Sequence, residues 1–178
     1  VFFAMVCSPP LQCLGATRLA GDYRVAAMAV DPAGNIWLTG RDHSGTVPVT
    51  SNAIQRQMIS SICGSYKVSS FGPYAPVACN DAFVMKLDSG GAKVLYATYL
   101  GGQSDDGGLA IAVDGAGSVY VAGYSTSRDF AVSAGAFQTK YGGGSVGIMP
   151  GRTYPSGDVF VTKLNADGTL IYSTFLGG

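Results

Sequence analysis

Short runs of alternating apolar and polar residues, separated by glycine-containing turns, organise this chain from end to end. In DAFVMKLD (81–88), Phe83, Met85 and Leu87 fall on one side and Val84 and Lys86 on the other, the period-two signature of a strand. Four such strands are predicted in each of two stretches. They lie near 25–30, 35–39, 82–87 and 94–99, and again near 109–113, 118–122, 159–164 and 170–175. The first of each set ends at an Asp-x-x-Gly turn, Asp31 or Asp114. There the carboxylate accepts backbone hydrogen bonds and the glycine supplies a positive φ. Both sides of these strands are mostly apolar, which predicts sheets covered on two faces, as in radially stacked blades. A parallel β-solenoid or a sandwich is the alternative, although solenoid rungs are usually much shorter than this spacing.

The strands belong to a repeat. AVDPAGNIWLTG (29–40) returns as AVDGAGSVYVAG (112–123), 83 positions later, and the match runs on through VTSNAIQ (49–55) and VSAGAFQ (132–138). DAFVMKLD (81–88) returns as DVFVTKLN (158–165) at an offset of 77, and VLYATYLGG (94–102) as LIYSTFLGG (170–178) at 76. The fall in offset places six extra residues in the first copy, in an insertion near 56–80 that holds Cys63 and Cys79. At the start, VFFAMV (1–6) is like VFVTKL (159–164), and LQCLG (11–15) is like the end of TYLGG, with Met5 where the other copies have Lys86 and Lys163. The expected organisation is therefore 1–15 as the C-terminal half of a preceding repeat, 16–102 as repeat one and 103–178 as repeat two.

Composition narrows the classes. Charged residues are 12% of the chain against 47% hydrophobic, with 26 glycines, which fits strands and tight turns and argues against long helices. Eleven basic residues balance eleven acidic ones without a basic run, so the footprint of a nucleic-acid binder is missing. No stretch has the ~18 consecutive apolar residues of a membrane helix, and residues 1–6 lack a basic leader segment, so an export signal is expected upstream or already removed. The four cysteines fall in two local pairs, Cys7 with Cys13 and Cys63 with Cys79. Disulfides in an oxidising compartment fit that placement. Zinc would need closer ligand spacing and more than the single histidine, His43. A cross-link between Cys63 and Cys79 would staple the insertion, and one between Cys7 and Cys13 would flank a hairpin containing Pro9 and Pro10.

The ordered blocks AVDxAGxVYVxGxS, GAFQ and DxFVxKLNxxGxxxYSTxLGG resemble the SBBP-type β-propeller repeat of bacterial secreted and cell-surface proteins. A looser similarity to NHL-type propeller repeats is confined to the AVDxxGxVYV segment. The resemblance spans nearly the whole chain; Trp37 and Leu38 and the cysteine-bearing insertion depart from it. It implies an all-β fold of four-stranded antiparallel blades, here two complete repeats plus the tail of a third, in a secreted or surface setting, with no defined catalytic residues. A propeller usually has about four to eight blades. The partners expected are therefore further propeller repeats, from a longer chain or from other copies, which would cover the open edges.

Candidate chemistry is sparse. Asp42, His43 and Ser44 are consecutive, which does not build a catalytic relay, and are read as a polar loop. Asp105 and Asp106, in GGQSDDGG, are the candidates for calcium, set against a polar turn between blades. Gly142 to Gly144 lack the lysine of a phosphate loop and are read as a flexible connector. Tyr96, Tyr99, Tyr120 and Tyr172 recur at strand positions and are expected to pack. The function expected is a non-enzymatic structural scaffold or adhesion and interaction module, with specificity in loops 41–80 and 124–157. The alternative is a carbohydrate- or calcium-binding module using the same loops and surface glycans or proteins as partners.

Overall fold

The computed structural model describes residues 3–8, 12–18, 20–59, 61–68, 72–143 and 157–178, with the side chains of 3–18 and 66–67 left out of the description. Among the described residues there are twelve strands and no helix. Strands β3 (Arg24–Val30), β4 (Ile36–Asp42), β7 (Asp81–Leu87) and β8 (Val94–Leu100) form one antiparallel sheet in the order β3-β4-β7-β8. A second sheet repeats the arrangement with β9 (Asp106–Val113), β10 (Val119–Ser125), β11 (Asp158–Leu164) and β12 (Leu170–Leu176). Each is an open four-stranded sheet of the blade type, all-β as the alternation requires.

Local chemistry accounts for the strand ends. Asp31 Oδ1 accepts from the amides of Ala33 and Asn35, and Asp114 Oδ1 from those of Ala116 and Ser118, while Gly34 and Gly117 each hold φ near +83°. The glycine of the IWLTG and VYVAG blocks has a different task. A side chain on Gly40 would meet the carbonyl of Arg24, and one on Gly123 the carbonyl of Gly107. Both glycines sit at a bulge between the first two strands of their sheet, where the register slips between Val25 and Ala27 and, in the second sheet, between Ala122 and Gly123.

The two faces of the first sheet lead to two cores. Phe83, Met85, Leu87, Ala97 and Tyr99 pack with Ile36 and Leu38 beneath Val47, Val49 and Met58 of the loop that follows β4. On the other face Trp37, Ala82, Val84, Tyr96 and Leu100 meet Val119, Val121, Phe160, Leu164 and Phe175 of the second sheet. Burying a side chain of this size stabilises by about 1.5–3 kcal/mol, so the sheet-to-sheet contact is a principal source of order. The loops also shield the outer strands. Thr50 and Gln55 bond to Ala97 and Tyr99 on the edge of β8, and Ser133 and Gln138 bond to Ser173 and Phe175 on β12.

The insertion is not a loop throughout. It forms a hairpin of β5 (Ile62–Lys67) and β6 (Tyr74–Ala78), closed by a Cys63–Cys79 disulfide with the Cα atoms 4.9 Å apart. Its strand character escaped the sequence because residues 56–80 and 139–157 share no repeated block. Ahead of the first sheet, β1 (Phe3–Ser8) and β2 (Gln12–Arg18) form another hairpin with Cys7 directly opposite Cys13. The side chains of those two cysteines, Pro9 and Pro10, and residues 144–156 of the second long loop lie outside the described residues.

Candidate functional site

The link from one sheet to the next is built around carboxylates. Leaving β8, the chain runs through Gly101 and Gly102 to enter β9 at Asp106, crossing above Asp81 at the start of β7. A Cβ on Gly101 would meet the Asp81 carboxyl, and one on Gly177 would come within 2.8 Å of Asp158 Oδ1, so the LGG block is needed where the chain presses on an acid. Gln55 holds this corner: its Oε1 accepts from Gly101 N at 3.0 Å, and its Nε2 donates to Gln57 O and to Asp81 Oδ2, both at 2.9 Å. Gln138 repeats the pattern with Gly177 N, Lys140 O and Asp158 Oδ2. The glutamine of the NAIQ and GAFQ blocks was visible as a repeated residue, but its bonding role was not.

Asp81 and Asp106 are fully buried, and each has one oxygen, Oδ1, without a hydrogen-bond partner. Burial chiefly pushes the Asp81 carboxyl up to about 7, aided by the charges of Asp106 and Asp42 and opposed by hydrogen bonds from Ile59 N and Gln55. Asp106 is raised to about 6, again first by burial, with the charge of Asp105 adding to it. Asp106 Oδ2 accepts from Gly102 N at 2.8 Å and Ser127 Oγ at 2.7 Å. Neighbouring Asp105 turns elsewhere, to Asn80 N, Asn80 Nδ2 and the Tyr124 hydroxyl. The two adjacent aspartates thus serve different partners, and Asp106 is a buried strand residue where a polar turn was expected. Among the described residues no group of three or more His, Cys, Asp or Glu is arranged to hold a metal ion.

Asp42 likewise departs from the polar loop expected of it. It ends β4, is fully buried, and accepts from Ser44 N, Ser44 Oγ, Thr46 N, Val47 N and the Tyr99 hydroxyl. His43 points instead toward exposed Asp22, 3.8 Å away, so the three consecutive residues form no relay. Gly142, expected in a flexible connector, donates to Asp158 Oδ2 at 2.6 Å and packs closely on Gly177 and Gly178. Beside the sheet-to-sheet link lies an open groove of about 450 Å³ lined by Gln103, Ser104, Thr126, Ser127, Arg128 and Asp129.

A second feature emerges from comparing equivalent residues. Ala82, Tyr96 and Leu100 are 0%, 2% and 5% exposed, whereas Val159, Tyr172 and Leu176, at the same places in the second sheet, are 46%, 37% and 42% exposed. Phe137, the counterpart of partly buried Ile54, is 86% exposed. Of the four recurring tyrosines, Tyr96 and Tyr99 pack as expected, Tyr120 is half-buried and Tyr172 is open. The face that the first sheet buries against the second is, on the second, presented to solvent.

Compared with known families, residues 95–131 match the SBBP beta-propeller repeat. That stretch runs from the outer strand of the first sheet, across the Gly101–Gly102 link, to the inner hairpin of the second and the loop beyond it. No curated protein matches the chain.

Proposed function

We propose, from the match of residues 95–131 to the SBBP beta-propeller repeat, that the chain is a non-enzymatic secreted or cell-surface module that works as a scaffold or interaction domain among further repeats. One observation carries this reading: the same face is buried in the first sheet and open in the second. A contiguous apolar face of this kind marks a place where another surface sits. The Cys63–Cys79 disulfide supports an oxidising compartment. The site chemistry supports a structural role, since the buried carboxylates of Asp42, Asp81 and Asp106 accept hydrogen bonds from the loops and turns around them.

Thiol trapping of native material tests this reading. Cys63 and Cys79 should be recovered oxidised from the secreted or surface fraction, and recovery of the protein with both thiols reduced in the cytosolic fraction would contradict it. The groove beside Arg128 and Asp129 favours a second reading, a carbohydrate-binding module, because its side chains offer several donors and acceptors at one opening. Glycan-array binding lost on Arg128→Ala would support that alternative.

A further inference from the structure

The first sheet shows how its outward face receives a neighbour. Lys86 lies over the Trp37 ring, 4.9 Å from its centroid, with Nζ 3.1 Å from Asp31 Oδ2. From there it donates to Ala166 O at 3.1 Å, while the Tyr96 hydroxyl donates to Gly168 O at 2.9 Å. Both carbonyls belong to one turn of the second sheet, the connection between β11 and β12. Asn165 Oδ1 closes that turn by accepting from the amides of Asp167 and Thr169. Gly168, at φ +92°, lies flat on the Tyr96 ring, where any side chain would collide with it.

The second sheet carries a matching apparatus, and among the described residues no turn is seated on it. Lys163 lies over the Tyr120 ring at 4.7 Å, and the Tyr120 hydroxyl donates to Asp114 Oδ2 at 3.2 Å, as Trp37 Nε1 does to Asp31 at 3.4 Å. Tyr172 stands where Tyr96 stands, with Val159, Leu176 and Phe137 exposed around it. We infer that this face is a docking site for the Asn-x-Asp-Gly turn of a following repeat, gripped through two main-chain carbonyls by Lys163 Nζ and the Tyr172 hydroxyl. The inference rests on the reading that further repeats complete the assembly, and it adds the chemistry of selection. An apolar face alone would accept many surfaces. Two donors placed for carbonyls two residues apart, above a ring that tolerates only glycine, select a tight turn.

The test extends the whole chain with a second copy of residues 103–178 after Gly178, which restores the Gly-Gly-Gln junction found at 101–103. Hydroxyl-radical labelling of Leu176 in the internal copy should fall at least severalfold, towards that of Leu100. Lys163→Met with Tyr172→Phe in the internal copy should restore the labelling, and the same pair in the terminal copy should leave internal labelling unchanged. If the unsubstituted tandem gives no protection, the completion reading itself fails. If protection appears but survives the internal substitutions, docking stands and the two-donor grip is overturned. Tyr96→Phe in the unextended chain examines the same grip where its turn is present. Amide exchange across 165–169 should speed up about tenfold, and unchanged exchange would count against the grip whatever the tandem does.

Discussion

Replacing Asp81 by asparagine should remove a pH dependence that the sheet-to-sheet link builds into the fold. Folded Asp81 titrates near 7 because of burial first and the charges of Asp106 and Asp42 next, while in the unfolded chain it reverts to about 3.9. The folded protein therefore binds more protons than the unfolded one between those values. The sign follows: the contribution is most favourable below about pH 4, is lost as pH rises through 7, and is flat above. For one group with this displacement, the loss between about pH 5 and about pH 8 is about 2.5 kcal/mol. Asparagine keeps an acceptor for Gln55 Nε2 and Ile59 N, places a donor at the position of the partnerless Oδ1, and leaves Asp106 with one negative neighbour fewer. Urea unfolding of wild type and Asp81→Asn at the two pH values measures the effect. Wild type should lose stability toward pH 8, and the variant's advantage should grow by about 2 kcal/mol over the interval. Titrating groups remote from Asp81 cancel in that comparison, and relief of the neighbouring Asp106 carboxyl acts in the same direction. An unchanged difference between the two proteins would refute the reasoning.

Other expectations concern distinct parts of the structure. Asp31 behaves oppositely to Asp81: burial opposes its ionisation, but hydrogen bonds from Asn35 and the Lys86 ammonium outweigh it and pull the carboxyl down to about 2. Its contribution is therefore present above about pH 4 and lost as pH falls through 2, and acid titration of Asp31→Asn should show a shallower loss over that range. Gln55→Ala and Gln138→Ala each remove three hydrogen bonds at equivalent corners. Each should cost about 2–3 kcal/mol in urea unfolding, and a silent result at either corner would contradict the pairing of their roles. Cys63→Ser with Cys79→Ser opens a loop whose closure is worth about 3 kcal/mol. Exchange of the amides of β5 and β6 should accelerate while β7 and β11 stay protected, since the hairpin stands outside both four-stranded sheets.

The strands were legible because the chain repeats them: two copies of DxFVxKL with the same alternation mark a strand with two largely apolar faces. The Asp-x-x-Gly turns were equally plain, since they need only local chemistry. Asp42 was not, because the two copies exchange partners. The first has Tyr23 just ahead of β3 where the second has Asp106, and Asp42 where the second has Ser125, so aligning the copies places no acid against Asp42. Tyr96 and Tyr172 show a deeper limit. Their sequence settings are nearly the same, yet one is buried and the other open, because burial here comes from the neighbouring sheet and not from the residue.

Hydroxyl-radical footprinting of the unmodified chain tests the two-sheet arrangement most directly. Equivalent residues supply their own controls: Tyr96 and Leu100 under the second sheet, Tyr172 and Leu176 on its open face. Tyr172 and Leu176 should label several times faster than their counterparts. Equal rates within each pair would contradict a first sheet covered by the second and a second sheet awaiting its neighbour.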